Sequence, residues 1–195
     1  MKVLSIEDYF STHHDNRFDS GIFRVSSMIL DILADKGHEC ISFTPKGATA
    51  KPKWRIIESS LVPKTQYHED RYPQKIYASE SIGIINNFEP DIVINHSVRG
   101  PTILKKLTEY SENVGSSFIV TVMHGCPVGG TGDWGNTPLF KRLVRAGHSV
   151  VGVSDFCTSE WNRKFIDFRG THDKVLGDGT GLVVCNDTFC FQFLE

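Results

Sequence analysis

The sequence lacks any long apolar run: nothing in its 195 residues approaches the roughly 18–20 consecutive apolar side chains of a bilayer-spanning helix. It lacks a dominant charge, with 21 Lys plus Arg against 23 Asp plus Glu and a formal net charge of −2. A nucleic-acid-binding domain carries a basic patch or stripe. The one locally basic segment, 46–55, is rich in Gly, Pro and Ala and reads as a solvated loop, so no direct nucleic-acid contact is expected. Cysteine is sparse and unpatterned. Cys40, Cys126, Cys157, Cys185 and Cys190 are odd in number and form no CxxC pair, which argues against a disulfide framework or a zinc finger. No secretory leader is expected either, because Glu7 and Asp8 follow the short apolar run Val3–Ile6 at once. The expectation is a cytoplasmic protein with free, mostly buried thiols. Of the histidines only His13-His14-Asp15 cluster. Adjacent histidines point different ways, and the i, i+4 spacing of a helical metal pair is absent, so no metal site is expected.

What is present is an ordinary globular composition, 39% hydrophobic and 23% charged, enough for one domain with a substantial core. There is no internal repeat, no low-complexity tract and no linker that divides the chain. Val3–Ile6 reads as a buried strand. Ile22, Val25, Ile29, Ile32 and Leu33 recur at helical spacing, with Asp19 or Ser20 as cap and Gly37 as a left-handed stop. Cys40–Phe43 is the next strand, so the chain opens with a βαβ unit, the building block of parallel sheets. Residues 46–73 read as an excursion with one extra strand around 54–57. Alternation then resumes: a helix over Ala78–Asn87 with Ile82, Ile85 and Phe88 inward, and a strand at Ile92–Asn95. A helix from Pro101 leads to a strand at Ser117–Met123 and a glycine-rich loop over 125–135. A helix over Pro138–Arg145 capped by Thr137, a strand at His148–Val153, and a helix capped by Ser154 or Asp155 and running through Lys164 complete the pattern. The predicted fold is α/β, a single Rossmann-like doubly wound parallel sheet.

In such sheets ligands bind beyond the C-terminal ends of the strands. The segments that follow them are polar: Asp8–Gly21, then His96-Ser97-Val98-Arg99-Gly100, then His124-Gly125-Cys126-Pro127, then Ser154-Asp155-Phe156. Neither the dinucleotide fingerprint GxGxxG nor the phosphate loop GxxxxGK[ST] occurs. Gly152-Val153-Ser154-Asp155-Phe156 lacks the second small residue of a hydrolase elbow. The cluster Gly177-Asp178-Gly179-Thr180-Gly181 reads as a turn.

Four segments together resemble the N-terminal half of GT-B glycosyltransferases of the glycogen-synthase-like, family 4 type. They are Gly21-Ile22-Phe23-Arg24-Val25 with its helix ending Gly37-His38-Glu39, then Pro90-Asp91-Ile92-Val93-Ile94-Asn95-His96-Ser97, then Val120-Thr121-Val122-Met123-His124-Gly125, and Val150-Val151-Gly152-Val153-Ser154. They stand in family order and cover about residues 1–165. The resemblance implies transfer of a hexose from a nucleotide sugar to an acceptor without a metal or other cofactor. His124 matches the histidine near the transferred sugar and is the candidate catalytic residue. Gly21 and Ser20 match the loop that approaches the donor phosphates, although Asp19-Ser20-Gly21 stands where relatives carry paired glycines. His96, Arg99 and Gly125 complete the candidate binding set.

Each of these residues also has a plainer role open to it. The histidines can tie strand to loop through backbone bonds, and Arg99 can be a solvated loop residue. A GT-B enzyme has a second Rossmann-like domain that holds most of the donor. The sequence ends at Glu195 with no motif of it. The expected organisation is therefore a domain over 1–170, with 171–195 an edge strand or a truncated interdomain segment. The expected partners are a nucleotide sugar, a sugar or other small acceptor, and a second glycosyltransferase domain on another chain. The alternative is a non-catalytic Rossmann-like binding module.

Overall fold

The computed structural model describes residues 1–9, 21–62, 71–97, 101–124, 137–152 and 182–183. In chain order they form β1 (Lys2–Ile6), α1 (Gly21–Asp35), β2 (Glu39–Thr44), β3 (Arg55–Glu58), α2 (Arg71–Phe88) and β4 (Ile92–Asn95). These are followed by α3 (Pro101–Asn113), β5 (Phe118–Met123), α4 (Thr137–Arg145), β6 (Ser149–Gly152) and β7 (Leu182–Val183). The strands make one 7-stranded sheet in the order β3-β2-β1-β4-β5-β6-β7, and every pairing is parallel. From β1 the chain moves one way to β2 and β3, then returns to place β4 on the other side. The β1/β4 boundary is the topological switch point, where the two crossovers diverge and leave a crevice.

Two apolar layers follow from this winding. Val3, Ile94, Val122 and Val151 lie in one cluster with Leu30 and Leu33 of α1. Leu4, Ile6, Val93, Ile119 and Val150 lie in the other, with Tyr77 and Ile85 of α2, Leu104 and Leu107 of α3, and Phe140 and Leu143 of α4. Adjacent strand residues such as Val3 and Leu4 thus serve opposite layers, as the two-residue strand period requires. The doubly wound, Rossmann-like reading of the sequence is therefore correct. Each fully buried leucine contributes about 1.5–3 kcal/mol relative to an exposed one.

Three local outcomes differ from the sequence reading. The buried face of α1 is Ile22, Phe23, Ser26, Leu30 and Leu33, rotated from the expected Val25, Ile29 and Ile32 so that a serine faces inward. Helix α2 starts at Arg71, ahead of Ala78, and carries Pro73 in its first turn, where a missing N–H breaks no helical bond. The last predicted strand begins at Ser149, and His148 instead accepts the Ile119 N–H on Nδ1 at 3.2 Å. Burial pulls the His148 pKa below the ordinary imidazole range.

Gly37, with φ 84°, ends α1 in the left-handed conformation, as expected. Gly115 follows α3 so closely that a Cβ there would stand 2.9 Å from the Ser111 Cα. The excursion after β2 is held by Glu58, whose Oε1 accepts the N–H groups of Gly47 and Ala48 at 2.7 Å each. No helix among the described residues is long and apolar enough to cross a membrane.

Candidate functional site

The C-terminal ends of β1, β4 and β5 carry an unusual density of buried polar side chains. Glu7, Asn95 and His96 are fully buried, and Asp8 and Ser97 are nearly so. The register explains how they meet. Ile6 pairs with Asn95, and the His96 N–H donates to the Ile6 carbonyl at 2.9 Å, so the pairing runs one residue past the end of β4. Asn95 pairs in turn with Thr121 of β5. Strand alternation then puts Glu7, His96 and His124 at positions on the α1 side of the sheet. Asn95 Oδ1 accepts the Ser97 N–H at 3.1 Å, an Asx turn that bends the chain just after His96.

The two histidines meet directly. His96 Nδ1 and His124 Nε2 are 2.7 Å apart, with ring centroids at 5.0 Å and a 37° tilt. The contact is an edge-on hydrogen bond, and it joins residues 28 apart in the sequence. His124 is partly exposed on the rim whereas His96 is buried. A bond between two imidazole nitrogens needs one proton between them, so one ring donates and the other accepts.

Beside them lies a hub that the sequence reading missed. Glu7 Oε1 accepts three serine hydroxyls: Ser5 at 2.7 Å, Ser26 at 2.5 Å and Ser42 at 2.9 Å. Ser5 belongs to β1, Ser42 to β2 and Ser26 to the second turn of α1, so one carboxylate oxygen ties the helix to both strands. The only signal in the sequence was an acid directly following a buried strand, together with a serine inside each of three apolar segments. On the opposite side of the sheet the Tyr77 hydroxyl of α2 reaches the Phe43 carbonyl at 3.0 Å and the Glu7 carbonyl at 3.2 Å. Full burial, then the negative charges of Glu7, Asp8 and Glu80, push the Tyr77 pKa well above the ordinary phenol range.

Because Ser26 is fastened beside the end of β1, the start of α1 is set at the same rim. Gly21 is its first residue and is exposed. A Cβ at Gly21 would meet nothing within 4 Å, so among the described residues no packing demands glycine there. The first turn of α1 carries no acidic side chain.

Of the sequence-predicted site residues, His96 and His124 are brought into contact, and Gly21 begins the helix on their side of the sheet. Ser20, Arg99 and Gly125 lie outside the described residues, as do His13-His14-Asp15, the loop 125–135 and the helix expected after Ser154. Among the described residues no group of three His, Cys, Asp or Glu could hold a metal ion. Cys40 is buried and free. Burial pushes its thiol up to about 11, which keeps it protonated and unreactive.

No protein-family model matches the chain, and no curated protein matches it. Among solved structures it is similar to a glycosyltransferase from Rickettsia africae ESF-5, at 17% identity and a TM-score of 0.54 over 94% of this chain. It also aligns with the C-terminal domain of the coenzyme A biosynthesis bifunctional protein CoaBC, at 13% identity and a TM-score of 0.44 over 77% of this chain and 72% of that chain. The chain spans 42% of the length of the Rickettsia africae protein. The described fold is therefore the Rossmann-like α/β fold found within a glycosyltransferase.

Proposed function

We propose that this chain is the N-terminal, acceptor-side half of a GT-B glycosyltransferase, moving a hexose from a nucleotide sugar to an acceptor hydroxyl. A second domain or chain completes the donor site. The observation that carries the reading is the His96–His124 bond at the adjacent ends of β4 and β5, on the sheet face that also bears the start of α1. The glycosyltransferase-like fold supports it.

In the reaction the bond from the anomeric carbon to the donor diphosphate breaks, the acceptor oxygen bonds to that carbon, and the hydroxyl proton is released. The chemistry needs negative charge stabilised on the leaving diphosphate. The α1 N-terminus at Gly21 is suited to that charge, with Ser20 and Arg99 as further phosphate ligands. His124 hydrogen-bonds the reacting sugar, and Gly125 lets it approach. This assignment requires no resident metal and fits a cytoplasmic enzyme that meets a nucleotide sugar and a small acceptor.

The test is a thermal-shift panel of UDP-glucose, ADP-glucose and GDP-mannose with the full chain and with Gly21→Ala. A ligand at 100 times its Kd stabilises by about 2.7 kcal/mol. Because an added Cβ meets none of its described non-local neighbours within 4 Å, Gly21→Ala should fold normally yet lose the ligand shift. Silence across the panel, together with no transfer of labelled sugar alone or with a candidate second domain, would favour the non-catalytic binding module instead.

A further inference from the structure

We infer that His96 is the positioning residue of His124, fixing its ring orientation and tautomer at the rim; the inference rests on the site reading proposed above. Three observations separate the roles of the two rings. His96 is fully buried, so its ring is withdrawn from the surface that a sugar would touch. Its backbone is pinned by the N–H bond to the Ile6 carbonyl at 2.9 Å, and the Asn95–Ser97 turn follows at once. Its Nδ1 then holds His124 Nε2 at 2.7 Å, while His124 reaches the partly exposed rim.

The chemistry of imidazole gives this contact its consequence. In a neutral ring one nitrogen donates and the other accepts, and which does which is set by the partner of either one. The bond therefore couples the two rings: a His124 Nε2 that accepts from His96 leaves the proton on His124 Nδ1, and one that donates leaves Nδ1 bare. His96 thereby sets the orientation, and biases the protonation state, that His124 presents at the rim. A buried ring on a paired strand suits that task better than a loop side chain, because the supporting shell is rigid.

The experiment is nitrogen-15 NMR of the imidazole rings in the full chain. The wild-type protein should show a through-hydrogen-bond coupling between His96 Nδ1 and His124 Nε2, and two well-separated ring nitrogen shifts for His124. His96→Asn keeps a hydrogen-bonding atom near the place of Nδ1 and should preserve the separated shifts. His96→Leu should bring them together as the tautomers mix. Absence of the coupling in the wild type overturns the inference without relying on any variant. Unchanged His124 shifts in His96→Leu overturn it equally. Adding UDP-glucose, ADP-glucose or GDP-mannose then separates the two ideas: an intact coupling with no ligand-induced change at His124 sinks the sugar-site reading alone.

Discussion

The Glu7 hub makes a quantitative claim about what holds α1 in place. Three hydroxyls converge on one carboxylate oxygen, and the shortest contact, 2.5 Å, comes from Ser26, the only one of the three on a helix. A hydrogen bond to a charged group contributes about 1.5–3 kcal/mol, whereas one between neutral groups contributes about 0.5–1.5 kcal/mol. Ser26→Ala removes one donor and leaves the oxygen with two, so it should cost about 2 kcal/mol, near the middle of the charged range. For a chain of this size that lowers Tm by about 4–8 °C. Glu7→Gln keeps an acceptor oxygen of similar shape but removes the charge. In that background the same serine truncation should cost about 1 kcal/mol, giving a coupling energy of about 1 kcal/mol in a double-mutant cycle. Urea unfolding followed by circular dichroism measures all four corners, with unchanged m-values confirming that the folded and unfolded states are comparable. If Ser26→Ala costs the same in both backgrounds within about 0.5 kcal/mol, the carboxylate charge is not what fastens the helix.

Two further outcomes follow from single contacts. Gly115→Ala should destabilise by about 1–3 kcal/mol in thermal melts, because the new Cβ would stand 2.9 Å from helix backbone at Ser111; a variant as stable as wild type would refute the close approach. His148 has its pKa depressed by burial. The unfolded chain therefore takes up the proton first as pH falls. The contribution of His148 to stability is complete above its ordinary pKa of about 6.5 and is lost as pH drops below it. His148→Asn keeps an acceptor for the Ile119 N–H and should flatten the fall in urea midpoint between about pH 7.5 and about pH 5.5. An equally steep fall in the variant would assign the pH dependence to other groups.

The sheet was legible because parallel strands buried on both faces write themselves as apolar runs, and Val3–Ile6, Ile92–Asn95 and Phe118–Met123 are such runs. Alternation with helices then fixed the winding. The face of α1 was not legible. Hydropathy ranks Val25 above Ser26, but a serine whose hydroxyl is taken up by a buried carboxylate no longer behaves as polar surface. The start of α2 was missed because Pro73 reads as a breaker, although in a first turn it costs nothing. The site was half legible. His96 and His124 were each singled out as residues after strands, yet their contact depends on the register between β4 and β5, and a register is set by pairing energetics across the sheet. Glu7 was visible only as a charge.

The position of β1 also has a consequence for synthesis. Its first partner, β2, is close in sequence, with Lys2 opposite Glu39. Its second, β4, is far, with Val3 opposite Ile92. On a ribosome adding about 5–20 residues per second, the roughly 50 residues between those partners take about 3–10 s to make. Through that interval β1, destined for the interior of the sheet, has a bare edge open to pairing with another chain. The arrival of Ile92–Asn95 closes the edge and forms the β1/β4 crevice in the same event. A nascent chain halted before residue 92 is therefore the species most exposed to misassembly, and the one on which a chaperone would have most to act.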